Sequence, residues 1–139
     1  MSNKYNIERF YPAHNEYYKI ALDEIKSGRK ESHWMWYIFP QLKSLGQSYN
    51  AIYYGLENTE EAKLFYDDSY LGANLREICY ALLECESKNA LQVMGYPDNL
   101  KLCSSMTLFY QSTKDELFKS VLEKFYGGKQ DELTLNQII

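Results

Sequence analysis

The residues able to do chemistry concentrate in one stretch, Gly28-Arg29-Lys30-Glu31-Ser32-His33-Trp34-Met35-Trp36-Tyr37-Ile38-Phe39-Pro40-Gln41. Arg29 and Lys30 follow a glycine turn and precede a helix start. Free N–H groups and the helix dipole favour an anion there, and adjacent bases could complete the site. The competing reading is a solvated basic turn closing the preceding helix. A single glycine, Gly28, is not the Gly-rich cradle of a P-loop. His33 is the one plausible general acid or base of the stretch, unless its ring is spent on a backbone or carboxylate bond. Trp34 and Trp36 lie about 200° apart on a helix at about 100° per residue. One is therefore expected in the core and the other is free to stack on a ligand ring. Gln41 closes the candidate site. Tyr53 and Tyr54 are weaker candidates for stacking.

A second polar cluster comes some seventy residues later, in Lys101-Leu102-Cys103-Ser104-Ser105. Lys101, Ser104 and Ser105 share a helix face by i, i+3, i+4 spacing. An amine and two hydroxyls suit an anion. Nucleophilic catalysis is disfavoured, because the Ser-x-x-Lys order runs backwards here. The competing reading is small hydroxyls that let helices pack closely. Cys103 reads as a packed thiol. The acids are dispersed and offer no carboxylate pair, although folding could bring Glu8, Glu16 or Asp98 to His33. Two distant histidines and scattered cysteines lack zinc spacing, so no metal is expected, and no cofactor either.

These residues must be held by 139 residues of ordinary globular composition, 45% apolar and 24% charged. That length suits a single domain over 1–139 with one real core. A net charge of -4 argues against a generic grip on nucleic acid or on an anionic membrane. No apolar run approaches the roughly 18 residues of a membrane span. Met1 to Asn6 lacks the apolar core of a secretory leader. Cys79, Cys85 and Cys103 are odd in number and lie in apolar surroundings, which suits free thiols in a reducing cytoplasm.

Apolar spacing predicts a first helix over 7–26, either restarted or kinked at Pro12, with Gly28 as its stop. Ser32 reads as the cap of a buried helix that ends where Pro40 restricts Phe39. Short pieces follow, with Gly46 as a stop and 51–56 as a connector or short helix. Further helices are expected near 59–66, 69–86 (capped by Ser69 or Asp68), 90–94, 98–111 (capped by Asp98) and 114–126. Thr134 to Gln137 fits a capping box and a final short helix. No segment alternates with period two. The expectation is a compact all-α fold of about six to eight unequal helices, not a simple up-down bundle.

The long first motif with Leu42, the pair Tyr54-Gly55, and Lys101-Leu102-Cys103-Ser104-Ser105-Met106-Thr107-Leu108-Phe109 closely resemble the family called domain of unknown function 1810, some members of which are mislabelled calpastatin. Arg9-Phe10, Leu71-Gly72, Gly128, Asp131 and Thr134 fit the same pattern. The resemblance implies an all-helical, monomeric, cytoplasmic protein and carries no activity with it. His14 stands where the family usually has Gln, Asn74 where it often has Arg, and Cys103 where Arg is common.

Two functional readings follow. The first is a binding protein or enzyme for a small anionic or nucleotide-like ligand. Its cleft would lie between the Gly28–Gln41 motif and the Lys101–Phe109 helix, formed by Arg29, Lys30, His33, Trp34, Trp36, Gln41, Lys101, Ser104 and Ser105. The second is a structural or protein-interaction module whose motifs form the core.

Overall fold

A computed structural model describes residues 4–138. Met1 to Asn3 and Ile139, which the single-domain and leader readings include, lie outside the described residues. Among the described residues nine α-helices follow one another: α1 Phe10–Lys26, α2 Met35–Ile38, α3 Tyr49–Tyr53, α4 Thr59–Asp67, α5 Ser69–Glu84, α6 Ala90–Met94, α7 Asp98–Thr113, α8 Glu116–Tyr126 and α9 Glu132–Ile138. Single 3-10 turns occupy Ile7–Arg9 and Lys43–Leu45. No strand forms among the described residues, and Leu42 and Leu56 make one isolated parallel bridge. The fold is all-helical as expected. The count exceeds the expected six to eight because the chain between α1 and α4 breaks into very short pieces.

Of the two expectations the restart is the one observed, two residues before Pro12: the 3-10 turn Ile7–Arg9 gives way to α1 at Phe10. Pro12 sits in the first turn of α1, where its missing N–H has no intrahelical partner to lose. Gly28 closes α1 with φ +84°. Helix α2 is only four residues long. Phe39 leaves it at φ −124°, ψ 71°, as a residue before proline must. Three expected caps are employed otherwise. Ser32 bonds Glu24 and leaves the α2 cap to Trp34. Asp98 lies inside α7, whose cap is Pro97. Thr134 lies inside α9, where its N–H and hydroxyl both donate to Asp131. Asp68 and Asp115 do cap α5 and α8 through their own carboxylates.

The core runs through four fully buried phenylalanines from four helices. Ring centroids lie 4.9 Å apart for Phe10 and Phe65, 5.6 Å for Phe65 and Phe109, and 5.6 Å for Phe109 and Phe118. Leu71, Leu75, Ile78 and Leu82 of α5 and Leu102 and Met106 of α7 pack into the same core. Lys124 of α8 reaches the C-terminus of α5 and donates to the carbonyls of Leu82 (2.7 Å), Leu83 (3.0 Å) and Cys85 (2.5 Å). One ammonium thus satisfies three carbonyls that the helix end leaves free. Among the described residues, no helix is long and apolar enough to cross a membrane.

Helices α4 and α5 meet at Gly72, where a Cβ would lie 1.9 Å from the Tyr66 carbonyl oxygen. Only glycine permits that approach. Gly72→Ala is expected to cost about 1–3 kcal/mol, the usual penalty of overpacking a core. A lowered urea midpoint with an unchanged slope is the expected reading.

Candidate functional site

The Gly28–Gln41 stretch is organised by Glu24, in the last turn of α1. Its Oε1 accepts the N–H of Glu31 (2.8 Å), the N–H of Ser32 (3.0 Å) and the indole N–H of Trp34 (2.8 Å). Its Oε2 accepts the Ser32 hydroxyl at 2.5 Å. Burial pushes this carboxyl up, but the bonds from Ser32, Glu31 and Trp34 outweigh it and hold it down at about 2. One carboxylate therefore folds the loop and fixes Trp34, which is fully buried.

Lys30 is committed to the same construction. Its ammonium lies 2.9 Å from Asp98 Oδ2, donates to the Ser32 carbonyl at 2.6 Å, and sits 4.8 Å from the centroid of the Trp34 ring. Its side chain is only 6% exposed. Arg29 and His33 are exposed. The fold uses the His33 carbonyl, which accepts the Tyr37 hydroxyl at 3.1 Å. Ser104 donates to Asp131 at 3.0 Å and ties α7 to the start of α9. Ser105 is fully buried, and its hydroxyl has no partner. The nine expected site residues are thus dispersed. Trp34, Lys30 and Ser104 hold structure, Ser105 is sealed, and Arg29 and His33 face water.

Three of the nine do come together. Trp36, Gln41 and Lys101 line one crevice with Met35, Phe39, Ala51 and Gly55. The two motifs therefore meet in space there, and Lys30 pairs nearby with Asp98, three residues before the second motif. The crevice holds about 10 Å³, the room of a single water.

A far larger space adjoins it. An open groove of about 400 Å³ is lined by Lys4, Tyr5, Asn6, Arg9, Lys43, Tyr49, Ile52, Tyr53, Gly55, Glu57 and Glu61. Gly55 borders both cavities. Arg9 is nearly buried and donates to the carbonyls of Asn6 (2.5 Å), Tyr53 (2.7 Å) and Gly55 (2.8 Å) and to Glu61 Oε2 (2.8 Å). Glu61 Oε1 accepts the Glu57 N–H at 2.8 Å. Lys43 reaches Glu57 at 3.1 Å with both side chains about half exposed. The rings of Tyr49 and Tyr53 stack at 5.9 Å and 9°. A second open cavity, about 370 Å³, lies between the ends of α1 and α5 beside Gly28 and Cys85, and its lining is mainly polar. No group of His, Cys, Asp and Glu among the described residues could hold a metal ion.

Sequence reasoning missed Arg9, Glu61, Lys43, Tyr49 and Ile52. Arg9 and Glu61 are 52 residues apart, and no spacing rule links them. The pair Arg9-Phe10 was legible only as part of a family pattern. Two departures from that pattern turn out to be neighbours. His14 Nδ1 accepts the Asn74 amide at 3.0 Å, and Nε2 donates to the Tyr37 carbonyl at 2.8 Å. Burial pushes the His14 imidazole down to about 4, against the opposing pull of the Tyr37 carbonyl and Asp68.

The profile of the family described as "Protein of unknown function (DUF1810)" matches residues 4–138. A crystal structure of the conserved hypothetical protein Rv1873 from Mycobacterium tuberculosis is similar at 38% identity over 96% of each chain, with a TM-score of 0.93. No curated protein matches the chain.

Two pH dependences follow. The Glu24 carboxyl is held below its ordinary 4.5. Its stabilisation is therefore full above pH 4.5 and is lost as pH falls toward about 2. Glu24→Gln sets amide donors against N–H donors. It is expected to lower the urea midpoint at neutral pH and to flatten that acid limb. The unfolded chain protonates His14 near 6.5 and the folded chain near 4, so stability falls as pH drops through that window. His14→Gln is expected to remove that slope, as measured by urea unfolding at stepped pH.

Proposed function

This chain belongs to the DUF1810 family, and we propose that it is a binding protein for a small molecule carrying a planar ring and an anionic group, seated in the groove beside α3. One observation carries the reading: a groove of about 400 Å³, within the usual range of ligand sites, combines stacked aromatic rings with cations. Its lining includes Lys4, Arg9 and Lys43 against Glu57 and Glu61, in a protein whose net charge is -4. Arg9 spends four of its five N–H donors on protein acceptors and serves as a rigid floor. Lys43 is the exchangeable cation, because its exposed pair with Glu57 is weak and an anion can replace the carboxylate. Tyr49, Ile52 and Tyr53 supply the surface for a ring. Three free cysteines support the reading of a cytoplasmic protein.

The same apolar surface favours a second reading, a protein-interaction module. Tyr49 is 78% exposed, and Ile52 and Tyr53 are each 43% exposed. The two readings part in one experiment. Thermal unfolding is followed with AMP, ADP, ADP-ribose and sugar phosphates. A true ligand at about 100 times its Kd adds about 2.7 kcal/mol and raises Tm by several degrees. Lys43→Ala and Tyr53→Ala are each expected to weaken that binding about tenfold. Absence of any shift across the set counts against the groove as a ligand site and favours the interaction reading.

A further inference from the structure

Helix α3 separates the groove from the crevice. Its outer residues Tyr49, Ile52 and Tyr53 line the groove, and Ala51, its single buried residue, lines the crevice. The two ends of α3 are held very differently. At the C-terminal end, Arg9 binds the carbonyls of Tyr53 and Gly55. Tyr54 packs there against Phe10 and Tyr37, with centroids 5.6 Å and 5.0 Å away. At the N-terminal end, Gln47, Ser48 and Tyr49 are exposed. That end rests on Gly46, where an added Cβ would lie 2.7 Å from the Ala51 Cβ. Ala51 is the one buried residue of α3, a single methyl facing Gly46 and the crevice, and segments with so little buried apolar surface open locally without global unfolding.

We propose that α3 is a flap, hinged at the Arg9-held Tyr53–Gly55 end. Its opening joins groove and crevice into one site, adding Trp36, Gln41 and Lys101 to the wall that meets the ligand. The proposal rests on the groove reading for what enters: a ring-bearing anion whose far end takes Lys101 as a second cation. Lys101 is available for this, since its closest carboxylate, Asp98, lies 3.9 Å away and is already paired with Lys30.

The flap is tested without ligand. Ala51→Cys puts a thiol under α3, and Ala62→Cys puts one in the permanent core of α4 as a control. Iodoacetamide labelling, located by peptide mass, is expected to be at least about 100-fold faster at residue 51 than at residue 62. Gly46→Ala, which pushes on Ala51, is expected to speed it further. Hydrogen exchange on the unmodified chain gives the same answer independently: the N–H groups of Ile52 and Tyr54 are expected to exchange far faster than those of α7. Equal labelling at the two positions, or α3 exchange only with global unfolding, overturns the flap. Binding of ADP then separates the two ideas. Binding weakened about tenfold by Lys101→Ala supports the joined site. Binding lost in Lys43→Ala but unchanged in Lys101→Ala overturns the joined site and leaves the groove reading standing. If ADP binds no variant, the groove reading fails for this probe, and labelling alone decides the flap.

Discussion

The buried pair of Arg9 and Glu61 is the constraint on which the irregular half of the molecule depends. Taking two charges out of water is costly, and the cost is offset only when every donor and lone pair is used well. Here the guanidinium spends itself on Asn6, Tyr53, Gly55 and Glu61, and the carboxylate also takes the Glu57 N–H. The pair therefore ties the N-terminal turn, the end of α3 and the start of α4 in one place. Removing either partner would strand a buried charge, typically a loss of 3–5 kcal/mol.

Glu24 plays the matching part at the other end of the same region. Between α1 and α4 the chain forms only two very short helices and a 3-10 turn, so many backbone N–H groups lack helical partners. Two glutamates serve them from outside, Glu24 at residues 31 and 32, and Glu61 at residue 57. This stretch supplies the exposed aromatics of α3, part of the groove wall and all of the crevice lining but Lys101. The long helices α5, α7 and α8 build the core, and the exposed irregular surface falls to the stretch that forms only short helical pieces.

The sequence was most legible where helices are long. The stripes of α5, α7 and α8 were readable because each periodic apolar face is buried against another. The helix stop at Gly28 was readable because positive φ favours glycine. Caps were less so: Ser32, Asp98 and Thr134 have the right residue types, yet each is recruited by a partner that local rules do not weigh. Glu24 lies eight residues before Ser32, and Lys30 lies sixty-eight before Asp98. The candidate site suffered most from this. Lys30 and Ser104 are polar because they hold segments together, and the expected site assigned those roles to a ligand. Trp36, Gln41 and Lys101 converge because α7 packs beside the first motif, a fact of tertiary structure that no spacing in either motif expresses.

The carboxylate of Glu24 also measures length. It reads the backbone at residues 31 and 32 and the indole at residue 34 from a fixed position on α1. Adding or deleting one residue between Gly28 and Trp34 would bring the wrong groups to those two oxygens. It would also pull Lys30 away from Asp98. Variation among relatives in this segment should therefore run through changes of side chain at a constant residue count.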